Sequence, residues 1–129
     1  MLSEYVKTAD WKSEKHVPVI CAPEKIVAGV PFEIHVTVGA EIAHPNTTAH
    51  HISWIAVHFV PAGAKTSVEL GRCEFSAHGA SVEGPDKGVA YTESKLVMSA
   101  RLAVAGTLFA TAYCNIHGLW SSEKAVVLA

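Results

Sequence analysis

The chain has 129 residues, of which 50% are hydrophobic and 17% are charged, and its formal net charge is −2 at pH 7. This length and hydrophobic content predict one domain, residues 1–129, with a core of its own. The small negative charge provides no basic field for nucleic acid, and no apolar run approaches the roughly 18 residues that a membrane span needs.

Alternating apolar and polar residues predict a series of short β-strands. In segment 32–38, for example, Ile34 and Val36 alternate with Glu33 and His35. Glycine and proline separate the strands, and no stretch has a sustained helical period. The pattern predicts an all-β fold, an antiparallel β-sandwich of immunoglobulin type. In chain order the predicted strands cover residues 17–20, 32–38, 52–60, 68–75, 95–102, 107–114 and 124–128.

The cysteine content and the start of the chain bear on the cellular compartment. Three cysteines are an odd number, which argues against a disulfide framework and is typical of a reducing environment. Residues 1–15 are interrupted by Glu4, Lys7 and Asp10, whereas a signal peptide has an uninterrupted apolar segment after a basic start. We therefore predict a cytoplasmic protein.

Histidine and cysteine are concentrated in two short segments. His44 and His50 enclose a segment rich in turn-forming residues, and Cys114 and His117 are separated by only two residues. An extended chain would place His44 and His50 about 20 Å apart, so a turn is needed to bring them to one point. Thiolate and imidazole ligands favour a transition metal over calcium or magnesium, which prefer oxygen. The two segments therefore predict a metal site.

A third segment places Glu14, Lys15 and His16 in succession. Segments 14–18, 44–52 and 114–120 together resemble the superoxide reductase family, in the one-iron form often called neelaredoxin. Cys-x-x-His alone is not specific, but the three motifs in this order are. The chain departs from the usual family pattern at Ala49 and Cys21, where glutamate is common. It also lacks the cysteine-rich amino-terminal segment that carries a second iron in the two-iron relatives.

The resemblance implies one iron per chain, bound by four imidazoles in a plane and by a thiolate on the axis. It also implies that Glu14 occupies the sixth position in the oxidised state and that Lys15 attracts the anionic substrate. The implied reaction is the one-electron reduction of superoxide to hydrogen peroxide. Rubredoxin or a similar small redox protein is the implied donor, and a homotetramer is the implied assembly. The implied ligands are His16, His44, His50, His117 and the axial Cys114.

The other histidines, cysteines and tryptophans are expected to have ordinary roles. His35, His58 and His78 lie outside the three motifs, and His51 is expected to point away from its neighbour His50. The cysteines Cys21 and Cys73 are expected to be ordinary buried or half-buried thiols. The tryptophans Trp11 and Trp120 are expected either to shield the site or to pack in the core.

Two other metal-binding classes stay open on the residues alone. Segment 113–117 resembles the copper-binding loop of cupredoxins, but these use two histidines, a cysteine and usually a weak methionine. No methionine follows His117, and Met98 precedes Cys114 in a predicted strand. A structural zinc site would close at four ligands, whereas five are available here.

Overall fold

The computed structural model describes all residues from Met1 to Ala129, and its elements are almost entirely β-strands. The exception is a 3-10 helix at Leu2–Glu4. No helix has the length and apolar character that crossing a membrane requires. The strands are β1 (Val6–Lys7), β2 (Pro18–Cys21), β3 (Lys25–Ile26), β4 (Phe32–Val38), β5 (Ile52–Pro61), β6 (Val68–Glu74), β7 (Lys95–Ala100), β8 (Gly106–Cys114) and β9 (Gly118–Leu128).

The strands form two sheets. The larger sheet has the order β1-β9-β8-β5-β6, with β3 also pairing with β9, and the smaller sheet has the order β2-β4-β7. All long pairings are antiparallel, and only the two-residue strands β1 and β3 run parallel to β9. The predicted all-β sandwich is therefore confirmed.

The core lies between the two sheets. Ile34 and Val36 from β4 meet Ile55 from β5 and Leu108 from β8, and all four are fully buried. Full burial of such a side chain is worth about 1.5–3 kcal/mol relative to exposure. The last residue of β8, Cys114, belongs to the same cluster. The core therefore reaches the end of the sandwich at which the predicted metal site lies.

The predicted strands are found with small shifts, apart from the last one. β9 begins at Gly118, six positions before the predicted start at residue 124, because its first half includes the polar run 121–123. The two-residue strands β1 and β3 are too short to give an alternating pattern. Cys21 was predicted to be buried or half-buried, and this was wrong: it is exposed at the end of β2, an edge strand of the smaller sheet.

Candidate metal centre

The Cys-x-x-His segment forms the hairpin turn between β8 and β9. Cys114 pairs with Gly118 across a three-residue loop, and Gly118 has a φ of 83°, as in a hairpin closed by a left-handed glycine. The turn brings the backbone N–H of His117 to 3.4 Å from Cys114 Sγ, to which it donates. The thiol is buried in the core, whereas His117 lies exposed at the tip.

Residues 39–51, which we call the histidine loop, connect β4 to β5. Gly39 opens it with a φ of 88°, and a Cβ there would lie 2.7 Å from the backbone nitrogen of His44. Further along, Thr47 N–H donates to His50 O at 2.9 Å, and His50 N–H donates to Thr47 Oγ1 at 3.0 Å. This predicted turn places the His44 and His50 rings 4.9 Å apart, centroid to centroid.

His16 reaches the same point from the segment that leads into β2. Its ring is buried, and its Nε2 lies 3.1 Å from Nδ1 of His117. On the other side Nδ1–H donates to Glu14 Oε1 at 2.6 Å, which leaves the Nε2 lone pair facing the cluster. Trp120 stacks on the His16 ring at 4.9 Å and donates its indole N–H to His117 O. Trp120 therefore covers one face of the His16 ring and is itself buried, and its expected role in shielding the site stays a prediction.

The four imidazoles form a closed ring. Neighbouring centroids lie 4.9 Å apart for His16 and His44, 5.0 Å for His50 and His117, and 4.7 Å for His117 and His16. The distance across the ring, from His16 to His50, is 6.4 Å. Four side chains place ligand atoms within 4.8 Å of one another, and they are His16, His50, Cys114 and His117.

Cys114 Sγ lies close to two of the imidazoles. It is 3.8 Å from Nδ1 of His117 and 3.6 Å from Nε2 of His44, the fifth predicted ligand. His44 donates Nδ1–H to Pro45 O at 2.7 Å, so its Nε2 offers a lone pair on the side of the thiol. The structure thus brings all five predicted side chains together.

The electrostatics of the cluster suit a metal ion. Burial lowers the pKa of His44 to about 4, and burial also lowers the pKa of His50, so both rings are neutral at pH 7. Metal ligation requires this neutral form. His50 Nε2 is buried without any hydrogen-bond partner, which is unfavourable for a polar atom unless something else binds it. The residues present therefore fit a metal ion.

Comparison with known proteins agrees with this geometry. The sequence model of the Desulfoferrodoxin family matches residues 8–123. The chain belongs to the desulfoferrodoxin family. A protein of Thermotoga maritima is 53% identical over 127 residues, covering 98% of this chain and 97% of that protein. The neelaredoxin of Megalodesulfovibrio gigas is 47% identical over 127 residues, covering 98% of both.

Solved structures show the same relationship within the desulfoferrodoxin family. A crystal structure from Thermotoga maritima superposes with a TM-score of 0.97 at 52% identity, covering 100% of this chain and 98% of that chain. The superoxide reductase (neelaredoxin) of Archaeoglobus fulgidus in the reduced form has a TM-score of 0.89 at 49% identity, covering 96% and 99%. The resemblance to superoxide reductases of the neelaredoxin type is confirmed.

Glu14 and Lys15 lie beside the cluster. Glu14 bonds to both the ring and the backbone N–H of His16, and the ring bond is the main reason why the pKa of this carboxyl is lowered. Its predicted place in the sixth position stays a prediction. Lys15 is half-buried and makes no ion pair, but its charge contributes to the lowered pKa values of His44 and His50. The predicted role of Lys15 in attracting the substrate stays a prediction.

The side chains outside the motifs lie elsewhere. His35 contacts Glu33 at 2.8 Å, and His58 lies 3.5 Å from Glu69. Trp11 lines a cleft against β2 and β9, and none of the predicted ligands lines that cleft. Cys73 is half-buried, as predicted.

His51 and His78 form a separate pair, with their rings stacked at 3.6 Å and only 2° from parallel. His51 donates Nδ1–H to Thr47 O at 2.9 Å, and its ring stacks on His78 instead of joining the four imidazoles of the cluster. His78 is 8% exposed and contacts the backbone oxygen of Phe75 and the side chain of Asn46. Its role is structural.

Proposed function

We propose that the chain is a superoxide reductase whose cofactor is one mononuclear iron. The observation that carries the proposal is the convergence of four imidazoles and a buried thiol on one point, where His50 Nε2 has no protein partner. The names of the relatives from Megalodesulfovibrio gigas and Archaeoglobus fulgidus support the same activity. The proposed iron ligands are His16, His44, His50, His117 and Cys114.

The thiolate and the imidazoles have different tasks in this proposal. When bound, iron would supply the electron that superoxide takes up, and the thiolate of Cys114 would raise the electron density on the metal. Superoxide gains one electron and two protons and leaves as hydrogen peroxide. The burial of Cys114 in the core holds the thiolate away from competing oxidants in bulk water.

Glu14 and Lys15 act on the substrate side. Because the pKa of Glu14 is lowered, its carboxyl carries no proton at pH 7, and the protons for peroxide come from water. Glu14 instead holds His16 in the tautomer that presents Nε2, and in the oxidised state it is our proposed sixth ligand. Lys15 supplies the local positive charge that a chain of net charge −2 needs to attract an anion.

The other metal-binding classes are less well supported. A blue-copper site needs a weak axial ligand, but the end of the Met98 side chain occupies the space over Gly71 of the neighbouring sheet. A structural zinc site would leave one of the five side chains without a ligand role. The remaining parts of the proposal are a single domain, a small redox protein such as rubredoxin as electron donor, a homotetramer and a cytoplasmic location.

Metal analysis and product stoichiometry test the proposal. We expect one iron per chain and, with an electron donor present, one hydrogen peroxide per superoxide with essentially no oxygen. Oxygen released at about half a mole per superoxide without any donor would instead identify a dismutase. Copper or zinc in place of iron after expression in metal-balanced medium would contradict the proposed cofactor.

A further inference from the structure

Asn115 lies in the hairpin turn immediately after Cys114, and its side chain bonds across to the histidine loop. The carboxamide accepts the backbone N–H of His51 on Oδ1 at 2.9 Å and donates from Nδ2 to Ala49 O at 2.9 Å. The backbone N–H of Asn115 also donates to His51 O at 3.2 Å. One residue therefore makes three hydrogen bonds between the two segments that carry four of the five predicted ligands.

The two side-chain bonds hold the two peptide groups that flank one residue, His50. The carbonyl of Ala49 belongs to the peptide before the His50 Cα, and the N–H of His51 belongs to the peptide after it. Holding both peptides restricts the backbone dihedrals of His50 and so fixes the point and the direction from which its side chain leaves the backbone. That ring carries the buried nitrogen without a protein partner.

The register of the sheet explains why a side chain is needed there. The ladder between β5 and β8 ends at the pair Ile52 and Cys114, because the chain then turns into the hairpin. Beyond that pair β8 has no further residue to form ladder hydrogen bonds with the histidine loop. A carboxamide carries one donor group and one acceptor group, as a peptide does, so Asn115 continues the ladder for one more step.

We propose that Asn115 is a positioning residue for the metal centre, which sets the place of His50 relative to Cys114. This inference rests on the proposed metal-binding function, but it concerns binding of the metal and not the reaction with superoxide. Residues that orient metal ligands typically contribute 10- to 100-fold to metal affinity. Because Asn115 itself reaches no ligand atom, its effect must pass through His50.

A double-mutant cycle on Zn(II) affinity tests this route. Zinc binds to imidazole and thiolate, and competition with a chromophoric chelator measures its dissociation constant. We expect Asn115→Ala to weaken Zn(II) binding about 10-fold or more in the otherwise unchanged protein. In a His50→Ala background, where four ligands remain, Asn115→Ala should have almost no further effect.

Asn115→Asp and Asn46→Ala complete the design. The aspartate keeps the acceptor for His51 N–H but places an oxygen against Ala49 O, so it should not restore the affinity lost in Asn115→Ala. Asn46 lies in the same loop and bonds to Thr92 O, away from the two peptides of His50, so its substitution should have the smaller effect.

Equal losses of Zn(II) affinity from Asn115→Ala with and without His50, or no loss at all, would overturn the proposal. Such a result would leave superoxide reduction itself untouched, since that activity is measured separately.

Discussion

Two groups of histidines lie side by side in this molecule, and they differ in what their ring nitrogens face. In the metal centre, nitrogens of His16, His44, His50 and His117 converge near Cys114, and one of them has no protein partner. In the adjacent pair, His51 and His78 stack face to face while their nitrogens contact backbone or amide oxygens. Close approach of imidazoles is common to both groups. Free lone pairs directed to one point distinguish ligands from structural histidines.

The strongest test of this distinction is removal of the thiol. We expect Cys114→Ser to lose most of its iron, or at least the thiolate-derived colour of the oxidised protein, because a serine hydroxyl is a poor ligand at neutral pH. His58→Ala is the control, since His58 lies outside the cluster against Glu69. Metal analysis and the visible spectrum provide the readout. Full iron and unchanged colour in Cys114→Ser would refute the proposed axial ligand.

The neighbouring residues His50 and His51 allow a matched comparison. We expect His50→Ala to lose most of the bound iron, because its buried Nε2 has no other partner. His51→Ala should keep the iron and lose about 1 kcal/mol of unfolding free energy, since one hydrogen bond and one stacked ring are removed. Iron content and denaturant unfolding distinguish the outcomes. Iron loss in His51→Ala together with full iron in His50→Ala would mean that His51, and not His50, is the metal ligand.

Lys15 provides a further test of the comparison, because its charge influences histidines of the metal centre, His44 and His50, and is not among the causes of the pKa shift of His78. We expect Lys15→Ala to slow the reaction of the reduced protein with superoxide roughly 10-fold, with iron content unchanged. Its rate should also depend less on ionic strength, because salt screens such attraction over about 10 Å at 0.1 M. Pulse radiolysis across a salt series measures both effects. If Lys15→Ala reacts at the same rate and with the same dependence on ionic strength as the unchanged protein, Lys15 is only a solvated surface charge.

Glu14 provides the matched acidic variant for the same measurement. We expect Glu14→Ala to leave the superoxide rate nearly unchanged, because the carboxylate bonds to His16 and does not attract the anion. The spectrum of the oxidised iron should change, and azide or cyanide should bind more readily. An oxidised spectrum identical to that of the unchanged protein would exclude Glu14 from the sixth position.

The smallest expected effect concerns the structural pair. Burial lowers the pKa of His78 in the folded protein below its ordinary value of about 6.5. Between the lowered pKa and the ordinary one, the unfolded chain binds a proton that the folded protein does not. His78 therefore favours the folded state fully above pH 6.5, and this contribution decreases as the pH falls. Unfolding free energies of the unchanged protein and of His78→Gln should differ in slope below pH 6.5. Parallel curves would show that His78 keeps an ordinary pKa.

Most of the fold and the cluster were predictable from the sequence because both depend on local patterns. Alternation revealed β4 and most of β8, and the density of histidine and cysteine revealed the site. Asn115 was missed because its role depends on the register of β5 against β8, which no local pattern encodes. The burial of His78 was missed for a similar reason, since its segment has no alternation and is held by the distant Asn46.

The position of Cys114 couples the metal to the stability of the whole sandwich. Its side chain belongs to the apolar cluster between the sheets, while His117 of the same hairpin lies at the surface. An ion held by both would link the core to the surface hairpin at one end of the sandwich. Any ligand that binds only the folded state stabilises it by about 4 kcal/mol at a thousandfold excess over its dissociation constant. Chelation should therefore lower the melting temperature of the entire protein and not merely loosen its loops.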